Sequence, residues 1–354
     1  MSAPIQVTYD DLKRFVIEAL VSLDMSHTDA SLTADVLVCT DAMGVHTHGT
    51  KLLAGYLKKL KAGGYVANAQ PVIEREGPAW ATIDGKNALG MVGCMFALEV
   101  AMKKARQCGV AYCGLRSTGH VGAIGYYAAQ AARQGFIVSI TGNDIPSVAV
   151  PGSTKAVLGS NPIAYAIPVV DGDPVFLDMA TAAVAGGKVY AAHQRGEPIP
   201  PHWLIGPDGK PTTDGSLYPA HACLAPMGGH KGYGISLWCE ILSGVLPGGH
   251  MTWQVGSWMF DDPKLPSHHN ASIMVLDVEA IAGREAFDRR VKHLINEIHA
   301  APTSEDVSQV LIPGEREWKE YHRARKDGVS LPMDVIEKLR QAAEICQRQP
   351  HWLL

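Results

Sequence analysis

No uninterrupted apolar run in the 354-residue chain approaches the roughly 20 residues a membrane-spanning helix needs, so no membrane partner is expected. Charge is sparse: charged residues make up 19% of the chain, and the formal net charge is -4. Such mild acidity gives no electrostatic footprint for a phosphate backbone, which argues against a nucleic-acid partner. CxxC pairs are missing too. The seven cysteines (Cys39, Cys94, Cys108, Cys113, Cys223, Cys239, Cys346) are odd in number and scattered through apolar stretches, which disfavours a zinc ribbon or a disulfide framework. The opening segment to Phe15 has neither a basic n-region nor an apolar h-region. With thiols suited to a reducing compartment, a cytoplasmic location is expected. Two glycine signatures are also lacking. There is no GxxxxGK[ST], and no GxGxxG follows a strand; Gly119, Gly122 and Gly125 come nearest but are off-register. A Rossmann dinucleotide site is therefore disfavoured.

What is present reads as a mixed α/β middle between two helical ends. Apolar residues make up 47%, ample for a buried core. Thr8 precedes Leu12, Phe15, Val16 and Leu20 at helical spacing, and Thr28 opens a second helix running to about Met43. A third helix spans Lys51 to Lys61 and stops at Gly63-Gly64. Strands are expected at 79–83, 110–115, 136–141, 164–168, 175–177 and 272–277. Helices are expected at 93–106, 126–133, 232–246, 284–298 and 332–346. The Gly- and Pro-rich stretch from Gly186 to Asp214 reads as loop.

Three clusters could carry chemistry. Ser117-Thr118-Gly119-His120 ends a strand, and Gly122 and Gly125 then open a helix. Ligands of α/β proteins sit off strand carboxyl ends near helix N-termini, and a histidine there can exchange a proton near neutral pH. The plainer reading is a loop histidine bonded to local backbone. Gly44-Val45-His46-Thr47-His48-Gly49 carries an HxH pair at a helix end, which suggests metal ligands and a metal-dependent hydrolase, or simply a helix-terminating loop. Gly228-Gly229-His230-Lys231-Gly232-Tyr233-Gly234 sets a lysine among glycines, where backbone approaches a ligand closely and an ammonium meets phosphate.

Taken in order, these segments resemble the type II malate/L-lactate dehydrogenase family, the sulfolactate dehydrogenase-like group. Its marks are Thr47-His48-Gly49, Gly119-His120-Val121-Gly122-Ala123, Gly159-Ser160-Asn161-Pro162, Asp178-Met179-Ala180-Thr181, Pro211-Thr212-Thr213-Asp214, Lys231-Gly232-Tyr233-Gly234 and Pro313-Gly314-Glu315-Arg316-Glu317. They span about residues 8 to 340. The resemblance implies an α/β mixed fold: a non-Rossmann nicotinamide-binding sheet domain plus a helical unit built from both chain ends. The expected boundaries are 1–75, 76–275 and 276–354, with the last segment packing on the first. It further implies a homodimer acting on a small 2-hydroxy or 2-keto acid with NAD, NADP being the alternative cofactor. His120 matches the general acid/base, and Thr47 and His48 match residues that position substrate. Asp144, Asp178, Met179, Ala180, Lys231, Gly314, Glu315 and Arg316 fall at positions that contact the cofactor.

The chain departs from the pattern at Leu52, where many members carry an arginine suited to a substrate carboxylate; Lys51 stands beside it. His46 and the run Ser257-Trp258-Met259-Phe260-Asp261-Asp262 are most like the ureidoglycolate branch. A site lined by Leu52 with Trp258 or Met259 would be more apolar than its relatives' and would disfavour malate and lactate. Two other classes stay open: a metal-dependent hydrolase using His46 and His48, and a catalytically silent relative acting as a binding protein.

Overall fold

The computed structural model describes residues 4–353 and contains eleven α-helices among them. Strand β1 (Ile5–Val7) leads into α1 (Tyr9–Val21), α2 (His27–Ala42) and α3 (Leu53–Ala62). Thr8 caps α1 by accepting the Asp11 N–H, and Ser26, two residues ahead of the expected Thr28, caps α2 by accepting the Asp29 N–H. A single 3-10 turn, Thr50–Leu52, precedes α3, which ends on Gly63 at φ 88, a left-handed stop that glycine adopts without steric cost.

The sheet region begins with β2 (Val72–Gly77) and β3 (Trp80–Asp84), followed by α4 (Gly90–Cys108), β4 (Val110–Thr118), α5 (Gly125–Arg133) and β5 (Phe136–Gly142). Two short strands, β6 (Val148–Ala149) and β7 (Ala156–Leu158), leave this sheet; β8 (Ile163–Ile167) and β9 (Val175–Met179) return to it. Then come α6 (Gly186–Gln194), β10 (Leu204–Ile205), β11 (Pro211–Thr212), β12 (Cys223–Leu224) and α7 (His230–Glu240), which runs on as a π-turn over Ile241–Val245. The chain closes with β13 (His269–Asp277), α8 (Val278–Ala282), α9 (Arg284–His299), α10 (Glu315–Asp327), β14 (Val329–Leu331) and α11 (Met333–Cys346).

The seven-stranded sheet has the order β2-β3-β4-β13-β5-β8-β9, and β3–β4 is its one parallel pair. The register sets His269 against Thr118, Ala271 against Gly142, Thr141 against Ile163, and Ile163 against Met179. One end of the sheet therefore gathers the carboxyl ends of β4, β5 and β9 with the amino ends of β8 and β13. A five-stranded sheet, β11-β10-β12-β6-β7, has a small apolar core of its own around Val148, Val189 and Leu204. One larger core joins the main sheet to the helices of both chain ends, from Val7 and Leu12 through Leu115 and Ile140 to Ile336 and Leu339. Ribbon β1–β14 ties those two ends together, with Gln6 opposite Ser330. None of the helices is long and apolar enough to cross a membrane.

Several elements differ from expectation for local reasons. The stretch expected as loop contains α6: its two leading glycines begin the helix, with Gly186 lying against the Tyr218 ring. Helix α7 starts two residues early and loosens into a π-turn, where the Leu242 carbonyl accepts the Tyr112 hydroxyl at 2.8 Å. Strand β2, VIEREG, is an exposed edge strand without apolar alternation, so periodicity did not reveal it.

Candidate active site

His120 lies in the turn between β4 and α5, at the gathered end of the sheet. Gly90, at the first turn of α4, allows the turn to come this close: a Cβ there would stand 2.1 Å from the His120 carbonyl oxygen. The His120 backbone N–H donates to the Tyr65 hydroxyl at 3.2 Å. Its ring stacks on Trp258, with centroids 4.9 Å apart and planes at 22°, and its Nδ1 meets the Tyr56 hydroxyl at 2.7 Å. No hydrogen bond engages Nε2 among the described residues. Burial holds the imidazole well below its ordinary pKa, reinforced by His269 and His48 and opposed by Asp144. A ring kept neutral, with a free Nε2, is equipped to accept a proton.

The Gly44–Gly49 loop brings His48 opposite, ring centroids 5.9 Å apart at 32°. Thr47 Oγ1 lies 3.0 Å from His48 Nδ1, and burial lowers the His48 pKa against the pull of Asp144. The loop folds round a buried carboxylate. Asp41, in the last turn of α2, accepts the Thr50 N–H (2.8 Å) and hydroxyl (2.6 Å), and lies 2.8 Å from His46 Nδ1. Gly49 is required there, because a Cβ would fall 2.2 Å from Asp41 Oδ1. His46 and His48 therefore take different partners, and His46 serves the loop.

A third imidazole, His269 at the start of β13, stands edge-on to His120 at 5.6 Å and 80°. Its Nδ1 is 2.9 Å from Ser267 Oγ and its Nε2 3.1 Å from Asp144 Oδ1. Ser267 in turn meets the Tyr65 hydroxyl at 3.1 Å, closing a chain back to the His120 backbone. Burial opposes ionisation of Asp144, yet the hydrogen bond and charge of His269 outweigh it and hold the carboxyl down at about 2.

The other residues carried from the sequence divide between two faces of β9. Asp178 points towards α5 and accepts the Gly125 N–H at 2.7 Å; burial lifts its carboxyl to about 6, offset in part by that bond. Met179 points the other way and, with Lys231, Tyr165 and Trp238, lines an apolar trough of about 390 Å³. Ala180 is half-buried just beyond. Gly314, at φ 94, packs on Phe176 of the same strand, and Glu315 accepts the Ile312 N–H at 2.9 Å. Arg316 is exposed and borders a second cleft beside Gly44 and Val45. An apolar trough rimmed by the exposed Lys231 ammonium suits a planar ring carrying phosphate, so of these residues Met179 and Lys231 fit a nicotinamide dinucleotide.

Two expectations require correction. Leu52 is 7% exposed and belongs to the main core, and Met259 is exposed; of the expected apolar lining, Trp258 alone meets His120. Lys51 is drawn to Asp334 of α11 at 2.6 Å. Sequence reasoning missed Tyr56, Tyr65, Asp41 and His269, because a core aromatic or a buried carboxylate in a helix carries no local signature of its partner.

The malate/L-lactate dehydrogenase family model matches residues 7–340. A malate dehydrogenase of Pyrococcus horikoshii is 35% identical over 348 residues, 96% of this chain and 95% of that protein. The ureidoglycolate dehydrogenase (NAD(+)) of Escherichia coli K12 is 32% identical over 335 residues, 94% of this chain and 95% of that protein. The solved structure of a sulfolactate dehydrogenase from Methanocaldococcus jannaschii matches with a TM-score of 0.90 at 32% identity, covering 98% of each chain. Likeness in fold and sequence over nearly the whole chain sets it among the dehydrogenases. It belongs to the malate/L-lactate dehydrogenase family.

Proposed function

We propose that the protein transfers a hydride between NAD and a small 2-hydroxy or 2-keto acid, with His120 as general acid/base. The observation that carries this reading is the half-buried imidazole of His120, which lies 5.9 Å from the His48 ring, with its Nδ1 meeting the Tyr56 hydroxyl and its Nε2 without a hydrogen-bond partner among the described residues. Thr47 and His48 position the substrate. Asp144, Asp178, Met179, Ala180, Lys231, Gly314, Glu315 and Arg316 hold the cofactor, on a sheet whose mostly antiparallel order supports a non-Rossmann site. The bound cofactor supplies the hydride acceptor or donor at its nicotinamide ring. In oxidation the substrate hydroxyl gives its proton to His120 Nε2; in reduction the imidazolium returns it to the forming alkoxide. Trp258 and Tyr56 exclude water from one side of the ring, and Asp144 balances the positive charge that develops on it.

With Lys51 paired to Asp334 and Lys59 bonded to loop carbonyls, substrate recognition falls on imidazoles and hydroxyls. Malate and lactate are then poor substrates, and a bulkier or less anionic 2-keto acid or imine is favoured. Trp253 and Phe260, apolar side chains exposed at 66% and 76%, support a homodimer that would cover them. The free cysteines suit a cytoplasmic setting. Fluorescence titration with NADH, followed by turnover on a keto-acid panel, tests the proposal. Saturable binding with turnover is expected; binding without turnover of any keto acid or imine would contradict it.

A further inference from the structure

We propose that Tyr56 is a positioning residue for this reaction: its hydroxyl accepts the Nδ1–H of His120 and so reserves Nε2 as the atom that gives and takes the proton. The inference rests on the acid/base reading of His120 and reaches one residue behind it. Tyr56 stands on the second turn of α3, fully buried, its ring 5.1 Å from Trp258 and its hydroxyl 2.7 Å from Nδ1. Among the described residues that hydroxyl has no other hydrogen-bond partner, and the His120 ring has no other either.

The proton balance fixes the direction of this bond. In oxidation the substrate O–H bond breaks, its proton forms a bond to the Nε2 lone pair, and the hydride leaves the carbon for the nicotinamide. Reduction runs the same steps backwards. Nδ1 must hold its hydrogen throughout, so it needs an acceptor. A relay in which Tyr56 passed its own proton to Nδ1 would leave a buried phenolate, and burial already pushes this phenol well above its ordinary range. The competing arrangement, with the phenol donating to Nδ1, puts the ring hydrogen on Nε2 and removes the base. Protonation abolishes that alternative, because both ring nitrogens then donate. Tyr56 therefore acts most strongly on the imidazolium, the form reduction requires.

Every other group facing the ring acts through space or through packing. His48 from the Gly44–Gly49 loop and His269 from β13 oppose the cation, Asp144 after β5 favours it, Trp258 stacks on it, and Tyr65 holds the backbone N–H. Tyr56 alone hydrogen-bonds the ring among the described residues.

The test is Tyr56→Phe in the full-length protein, which keeps the buried ring and removes one oxygen. The His120 titration midpoint, followed by NMR without cofactor, is expected to fall by about one pH unit, as loss of a charge-assisted hydrogen bond dictates. Turnover in keto-acid reduction near neutral pH is expected to fall on the order of 10- to 100-fold, with NADH affinity unchanged. An unchanged midpoint, or unchanged turnover, overturns the proposal. Should the phenylalanine variant fold poorly, 3-fluorotyrosine at position 56 weakens the acceptor without removing it. The midpoint must then fall by a smaller amount; a midpoint that stays or rises refutes the assignment. His120→Ala separates the two readings: wild-type turnover there removes His120 from the chemistry, while the midpoint shift in the Tyr56 variants stands on its own.

Discussion

Asp41 offers a stringent test of how the substrate loop is held, because one buried side chain organises residues on both sides of Thr47 and His48. Its carboxylate is 2% exposed and takes three partners: the Thr50 N–H at 2.8 Å, the Thr50 hydroxyl at 2.6 Å and His46 Nδ1 at 2.8 Å. Asp41→Ala leaves two buried Thr50 donors without an acceptor. Hydrogen bonds to a charged group each contribute about 1.5–3 kcal/mol, and breaking a buried charged contact from one side costs roughly 3–5 kcal/mol. The expected loss is therefore roughly 3–5 kcal/mol, a fall of about 4–7 °C in melting temperature for a chain of this length. The His46 side chain is 26% exposed, so His46→Ala, which removes only the third contact, should cost about 1 kcal/mol or less. Calorimetric melting of both variants checks the ratio. Steady-state kinetics of Asp41→Ala should show a raised KM as His48 loses its place, with NADH affinity intact. An Asp41→Ala protein within 1 kcal/mol of wild type, or with an unchanged KM, refutes the reasoning.

Three further outcomes follow from the same geometry. Folded His120 and His48 bind protons less readily than the unfolded imidazole near pH 6.5, so the unfolded state takes up protons first as pH falls. Melting temperature should therefore decline below about pH 6.5, and a flat profile from pH 7.5 to 5.5 in thermal scans would contradict those depressed values. Leu52→Arg, attractive from sequence as a way to restore a carboxylate partner, places a charge in the core and should lower stability by several kcal/mol with no gain in kcat/KM for malate or lactate. Improved turnover of the small acids by that variant would show that position 52 reaches the substrate. Exhaustive chelation should leave turnover unchanged, since His46 is committed to Asp41; loss of activity restored by zinc would revive the hydrolase reading.

Much of this organisation was legible in the sequence where local chemistry is self-contained. Thr8 caps α1, Gly63 and Gly109 stop α3 and α4, and His120 follows a strand because the apolar run from Val110 leads to the Gly119 turn. The partners of His120 were not legible. Tyr56 lies 64 residues away, Trp258 138 and His269 149, and sheet register and helix packing bring them together. Leu52 shows the converse: the family pattern sets it at a substrate position, while its 3-10 turn directs it into the core. The partners of Lys51 and Lys59, Asp334 and the Asp262 and Leu265 carbonyls, likewise follow from tertiary packing.

The central claim is that His120 moves the proton that accompanies hydride transfer, and rapid-mixing turnover of His120→Ala with NADH and an accepted keto acid tests it most directly. The account predicts wild-type NADH affinity together with hydride transfer slowed on the order of 10²- to 10⁴-fold. Hydride transfer at the wild-type rate in that variant would contradict it.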